Sequence, residues 1–207
     1  MLAGPIVMIG LALAASPGLA ETLDRIAVSV GQDVITESQV ILDLRVAAFL
    51  DQKPVDLSGA AKRKSAERLV DQLLILREAV DSHVTLPSVE ATAGLVAPYA
   101  AESGYQANLQ RYGITERDLG AHLLAGLRTL TFTDLRFRPD VQVSDEDLRS
   151  YYDKLPDSAA APKPSFEDSR DQIEKLLVEQ RVIDALDQWL DMARSAVNIR
   201  YRDKAFE

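Results

Sequence analysis

Residues 30–45 read VGQDVITESQVILDLR, a stretch that contains a turn, a short apolar pair and the start of a helix. Upstream of it, residues 26–30 alternate large apolar with small side chains at period two, which predicts a half-buried strand. Gly31 permits a tight turn, after which residues 34–35 can pair back onto that strand. Thr36 and Gln39 form the capping-box pattern of a helix start. The sequence therefore predicts a hairpin that leads directly into a helix.

Apolar residues at three- and four-residue spacings predict a series of amphipathic helices downstream. The segment YQANLQRYG (105–113) is interpreted as a short stretch that stops at Gly113. Pro98 should kink or divide the helix around it, because proline has no backbone N–H to donate. The predicted helices cover residues 37–51, a longer segment capped by Ser58, a segment from Thr85 to about Glu102, residues 116–137, a short helix capped by Ser144, and residues 165–195.

The C-terminal residues 197–201 alternate like the first strand. An isolated hairpin is marginally stable in water and needs a third strand or a packed helix. We therefore expect the C-terminal strand to return to the hairpin, which brings the two ends of the folded chain together. The predicted fold class is mainly α, with a small β-sheet formed by the N-terminal hairpin and the C-terminal strand.

The composition is typical of a folded protein, with 47% hydrophobic and 27% charged residues in a chain of 207. There is no cysteine, so packing alone must stabilise the fold. The net charge of −9 repels phosphate backbones and anionic lipid, which argues against nucleic acid as a partner.

Residues 1–20 carry no charged side chain and end in small residues, which predicts a signal peptide cleaved after Ala20. The segment lacks the lysine or arginine that normally precedes the apolar core of an export signal. The alternative is an uncleaved anchor, but the apolar core at residues 6–15 is shorter than the roughly 20 residues that a span needs. We therefore expect an exported protein with no stable membrane span after cleavage.

The search for catalytic chemistry is largely negative. The two histidines, His83 and His122, are 39 positions apart and fit no metal-ligand spacing. The chain has neither a phosphate-binding GxxxxGK[ST] loop nor a GxSxG nucleophile turn. The acidic run at residues 145–147 is interpreted as a helix start, since it lacks the spaced oxygens and glycine of a calcium loop. We expect no catalytic, cofactor-binding or metal-binding residues.

Three tyrosines, Tyr99, Tyr105 and Tyr112, cluster in the least regular region of the sequence, beside Pro98 and Gly113. They can pack locally around a bent helix or form an exposed contact surface. The sequence leaves both interpretations open.

Four segments occur in an order that is informative: residues 27–40, 68–79, 136–154 and 164–201. The third reads RFRPDVQVSDEDLRSYYDK, and the fourth begins PSFEDSRDQIEKLL. This order resembles that of the SurA-like periplasmic chaperones, which are related to PrsA-type foldases, and the resemblance covers nearly all of the chain after residue 20. The third segment looks like the junction at which the family enters a parvulin prolyl-isomerase domain, and the fourth looks like the return to the chaperone domain.

The chain departs from the family pattern between Tyr152 and Ser165, where only twelve residues replace an isomerase domain of about a hundred residues. The family's isomerase residues therefore have no positions here, and we expect no prolyl-isomerase activity. The predicted organisation is a signal peptide (1–20), the N-terminal part of a chaperone domain (21–155), a linker where a parvulin domain would be inserted (156–164), and a C-terminal helix and strand that complete the domain (165–207).

The resemblance implies an ATP-independent periplasmic holdase that binds unfolded polypeptides, such as outer-membrane β-barrel precursors, without a cofactor. An alternative is a non-catalytic structural or assembly partner of one specific envelope protein, and a prolyl isomerase is a distant third. We expect Tyr99, Tyr105 and Tyr112 to contact the client. Their replacement by alanine is expected to weaken client binding with little loss of fold.

Overall fold

The N-terminal hairpin and the C-terminal strand form one antiparallel sheet, which confirms the predicted fold class. The computed structural model describes residues 24–156 and 163–207. Strand β1 (Ile26–Val30) lies between β2 (Asp33–Thr36) and β3 (Ile199–Tyr201). Gly31 begins the turn between β1 and β2 with a φ of +60°, a conformation open to glycine at little cost.

Three of the predicted segments fall wholly or partly outside the described residues. The predicted signal peptide (1–20) lies outside them, as do residues 21–23 of the predicted N-terminal part and residues 157–162 of the predicted linker. No helix within the described ranges is both long enough and apolar enough to cross a membrane.

Seven α-helices make up most of the described chain, and five of them begin where the capping residues predict. Thr36, Thr115 and Ser144 each form a full capping box, and the hydroxyls of Ser58 and Ser165 each accept a hydrogen bond from a backbone N–H. The helices are α1 (Glu37–Asp51), α2 (Gly59–Asp81), α3 (Thr92–Ala100), α4 (Tyr105–Tyr112), α5 (Glu116–Phe137), α6 (Asp145–Asp153) and α7 (Phe166–Ala196).

The helix predicted from Thr85 begins later than expected. A 3-10 turn at Val89–Ala91 precedes α3, and residues 84–88 are extended or irregular. Tertiary contacts hold this segment: Leu86 packs on a core cluster, and the carbonyl of Pro87 accepts a hydrogen bond from Arg128 Nε at 2.8 Å. A proline also disfavours helical geometry in the residue before it.

The same predicted helix also ends early. Pro98 lies in the last turn of α3, which ends at Ala100 and not near Glu102. The segment 105–112 then forms a separate helix, α4, between Gly104 and Gly113, both of which have positive φ. The two glycines therefore separate α4 from its neighbours.

Most of the buried apolar side chains of the described residues form three clusters. The first joins the sheet to α2 and includes Val28, Val30, Val70 and Leu74, with Ala205 from the C-terminal end. The second packs α1 against α3, α4 and the start of α5, and the third joins α2, α5 and α7 around Phe132, Ile75 and Leu190. Trp189 of α7 packs against both the first and the third cluster. The C-terminal helix and strand thus contribute to the same core as the N-terminal helices.

Ion pairs join the N-terminal turn of α6 to α7. Arg170 contacts Asp145 at 2.6 Å, and Arg181 contacts Asp147 at 2.7 Å. The hydrogen bonds from Ser144 and the Arg181 guanidinium lower the pKa of Asp147 to about 2. The acidic run therefore begins a helix, as predicted, and links it to its neighbour.

Helices α3 and α5 approach each other closely at Gly120. A Cβ at this position would overlap the Thr92 methyl group and lie 3.4 Å from Cγ2 of Val96. We expect Gly120→Ala to lower the free energy of unfolding by about 1–3 kcal/mol through overpacking, as measured by urea denaturation.

Gly126, in the same helix, is the matched control for this substitution. No atom of another described element lies within 4 Å of the place that a Cβ would take at Gly126. Gly126→Ala should therefore raise the free energy of unfolding by about 1 kcal/mol, because alanine is the better helix former. An equal gain at both positions would show that the two helices do not pack closely at Gly120.

Candidate binding groove

An apolar groove lies between β2 and helices α1, α2 and α5. Its volume is about 400 Å³, within the range of ligand-binding clefts. Leu69, Leu73 and Leu76, at helical spacing on α2, line one wall. The opposite walls include Val34 and Ile35 from β2, Leu42 and Val46 from α1, and Ala121 and Ala125 from α5. Apolar side chains of β2 and α1, which are adjacent in sequence, therefore meet those of α2 and α5, which lie further along the chain.

A buried carboxylate, Asp43 of α1, lies in the wall of this groove. The Asp43 side chain is 5% exposed, and it forms an ion pair with Arg68 of α2. The Ser65 hydroxyl donates a hydrogen bond to it at 2.5 Å, and His122 Nδ1 of α5 lies 3.1 Å from its other oxygen. Asp43 thus connects three helices at the base of the groove.

These contacts determine the ionisation of Asp43. Burial acts to raise the pKa of this carboxyl group, but the hydrogen bonds from His122 and Ser65 and the Arg68 guanidinium outweigh burial and hold the pKa below its ordinary value of 3.8. Asp43 is therefore an ionised, buried group with partners on two neighbouring helices.

The proximity of serine, histidine and aspartate here does not form a nucleophilic triad. In such a triad the hydroxyl donates to the imidazole, which the aspartate orients. Ser65 instead donates to Asp43, and His122 Nε2 has no hydrogen bond to any described residue. Nor does any group of His, Cys, Asp or Glu in the described ranges have the arrangement of a metal site. The cluster can therefore position the helices that bound the groove.

We expect Asp43→Asn to lower the free energy of unfolding by about 1–3 kcal/mol, because it replaces charge-assisted hydrogen bonds with weaker ones. The folded-state pKa of Asp43 is depressed, so its contribution to the free energy of unfolding is present above the ordinary pKa of 3.8 and is lost as pH falls through the folded-state pKa. Urea denaturation at several pH values should therefore show a difference between wild type and variant that shrinks below about pH 4.

Asp51→Asn, at the exposed end of the same helix, is the control. The Asp51 side chain is 62% exposed, and its one ion pair with a described residue is with Lys53. Its replacement should change the free energy of unfolding by less than about 0.5 kcal/mol. A loss at Asp43 no larger than the loss at Asp51, or one independent of pH, would contradict the role of the buried carboxylate.

The three tyrosines predicted from sequence come together, but away from the groove lining. They pack around Phe49 of α1, with ring centroids 6.3 Å away for Tyr99, 6.4 Å for Tyr105 and 5.8 Å for Tyr112. Tyr105 and Tyr112 are only 5% and 8% exposed and belong to the second core cluster. Their placement matches the packing interpretation, and their contact with a client stays a prediction.

The burial of Tyr105 and Tyr112 corrects one expectation. Replacement by alanine was expected to leave the fold nearly intact, but at these two positions it removes buried aromatic contacts and leaves a cavity. Alanine variants of Tyr105 and Tyr112 would therefore report on stability as well as on any binding.

Sequence reasoning missed Asp43 and His122, which are 79 positions apart. One signal was present: Asp43 lies three residues after Val40 and three before Val46, on the apolar face of α1. When such a face is buried, a charged residue on it needs an ion-pair or hydrogen-bond partner, because an unpaired buried charge is strongly destabilising. The pattern gives no indication that the partner is in α5.

The chain matches no protein-family model, and no curated protein matches it either. The class of protein is therefore defined by its architecture: a mainly α domain with a small closing sheet and an apolar groove between its N-terminal helices and the hairpin.

Proposed function

We propose that the protein is an ATP-independent periplasmic chaperone, a holdase that shields apolar segments of unfolded polypeptides. The observation that carries this proposal is the apolar groove of about 400 Å³ between β2, α1, α2 and α5. The resemblance of the chain to the SurA-like chaperones supports the same function. Outer-membrane β-barrel precursors are the clients that this resemblance implies.

The size of the groove fits transient capture. A volume of about 400 Å³ accommodates a few side chains at a time, so one client segment would be bound through a short stretch. An unfolded client also loses conformational entropy when it is held. Modest affinity suits a holdase, because the client must be released to fold.

The surface charge supports the proposal in a second way. With a net charge of −9, the protein repels copies of itself, and this helps to keep a complex with an aggregation-prone client in solution. Residual exposed apolar side chains on the client would otherwise promote association.

The experiment is light scattering of a urea-unfolded outer-membrane β-barrel protein diluted into buffer with and without residues 21–207. We expect suppression of aggregation at a near-stoichiometric ratio, in the absence of nucleotide. No suppression would contradict the holdase function. A pull-down from periplasm that then recovers one stoichiometric folded partner would favour the alternative, a dedicated assembly partner.

A further inference from the structure

Strand β2 has one free side. The sheet order is β2-β1-β3, so within the described part of the chain β2 is an edge strand whose one partner is β1. Its residues Asp33, Val34 and Ile35 also line the groove. Val34 is 48% exposed, whereas Ile35 is 6% exposed and faces the core. The groove is therefore bordered by an edge strand.

The hydrogen bonds between β1 and β3 show which backbone groups of β1 point toward β3 and which point toward β2. The Gly31 N–H donates to the Asn198 carbonyl at 3.0 Å, and the Arg202 N–H donates to the Ala27 carbonyl at 2.9 Å. Backbone direction alternates along a strand. Ser29, midway between Ala27 and Gly31, therefore directs its N–H and C=O toward β3.

Val34 faces Ser29 across the hairpin. Because the backbone groups of Ser29 point toward β3, this pair exchanges no hydrogen bonds, and the N–H and C=O of Val34 point away from the sheet. No hydrogen bond from a turn, cap or loop of the described chain reaches either group. A donor and an acceptor are thus available together at the border of an apolar groove.

The charges of the groove lining are of one sign. Among the residues that the structure describes, it contains Asp33, Asp43 and Asp118 but no lysine or arginine. Arg77 pairs with Asp33 and Arg68 with Asp43, whereas Asp118 accepts hydrogen bonds from Thr115 and forms no ion pair with a cation of the described residues. Asp118 therefore favours a positively charged group on a bound segment.

We propose that the groove binds its client by strand addition: an extended segment of unfolded polypeptide pairs with the free edge of β2 at Val34, places alternate apolar side chains in the groove and directs a lysine or arginine toward Asp118. This inference rests on the proposed holdase function and specifies its substrate class. Backbone hydrogen bonds at an edge strand give affinity that is independent of sequence, and the groove and Asp118 add a preference for apolar, cationic segments.

The test is fluorescence anisotropy with a short fluorescein-labelled peptide of alternating valine and serine that carries a central lysine, and with its glutamate counterpart. We expect the lysine peptide to bind about two- to fivefold more tightly, with the difference reduced at high salt.

Val34→Pro removes the outward N–H without breaking the hairpin ladder, and it should weaken binding of the lysine peptide by about fivefold. Val34→Ala keeps the N–H and is the matched control for lost side-chain contact.

If Val34→Pro does not fold, a series of peptides that each carry one N-methyl group tests strand addition instead. N-methylation should weaken binding at every second position of the peptide, because alternate amides face the protein. Equal binding of the two peptides, together with no effect of the backbone changes, would overturn strand addition while leaving the holdase function in place. Failure of both peptides to bind, together with no suppression of aggregation, would overturn both.

Discussion

Residues 21–164 on their own should fail to fold. Residues 165–207 contribute α7, β3 and the C-terminal turn, and Ile173, Val182 and Leu190 of α7 are each at most 5% exposed. Without them, β1 loses one of its two partner strands, and the third core cluster loses Leu190 and Trp189. We expect the cooperative thermal transition seen by circular dichroism for residues 21–207 to be absent.

Supplying residues 165–207 as a separate chain is the control. Co-expression should restore a complex in which both pieces co-purify and melt together, because the contacts of α7 and β3 do not require chain continuity. A melt of residues 21–164 that matches the full-length melt would refute the closure of the fold by its C-terminal segment.

Phe132→Ala should lower the free energy of unfolding by more than Gly120→Ala or Asp43→Asn does. Phe132 is fully buried and packs against Phe137 and Trp189, with ring centroids at 5.9 Å and 5.3 Å. Removal of a buried aromatic ring costs both its transfer free energy and the cavity left behind, so we expect a loss of about 3–5 kcal/mol in the free energy of unfolding. Urea denaturation measures it directly.

Leu130→Ala, two residues earlier in the same helix, is the matched comparison. Leu130 is 65% exposed, so its truncation should lower the free energy of unfolding by less than about 0.5 kcal/mol, apart from its small effect on helix propensity. Similar losses at the two positions would mean that Phe132 does not hold α5 against α7.

Most of the fold could be predicted because its signals are local. Thr36, Ser58, Thr115 and Ser144 mark helix starts through hydrogen bonds within three residues of each cap, and the structure contains each of them. The return of β3 followed from a physical requirement, since a lone hairpin is marginal in water.

The late start of the helix predicted from Thr85 shows tertiary contacts overriding local preference. Residues 84–88 carry a helix-start pattern, yet contacts with the third core cluster and with Arg128 hold them in another conformation. Helix propensity is a local property of the sequence, so it does not predict those contacts.

The candidate site was the least predictable feature. The groove depends on the way in which α1, α2, α5 and β2 pack, and Asp43 and His122 meet only in the folded chain. The sequence pattern identified the apolar face of α2 but gave no sign that part of it borders an open cavity.

Filling the groove and measuring aggregation of the urea-unfolded β-barrel protein by light scattering shows whether the groove binds the client. Ala121 lines the groove on an exposed part of α5, so Ala121→Trp should occupy the groove without disturbing the core. Ala107→Trp, at an exposed position of α4 outside the groove, is the matched control. We expect wild type and Ala107→Trp to suppress aggregation and Ala121→Trp not to suppress it. Suppression by all three proteins, or by none, would refute a holdase that binds its client in this groove.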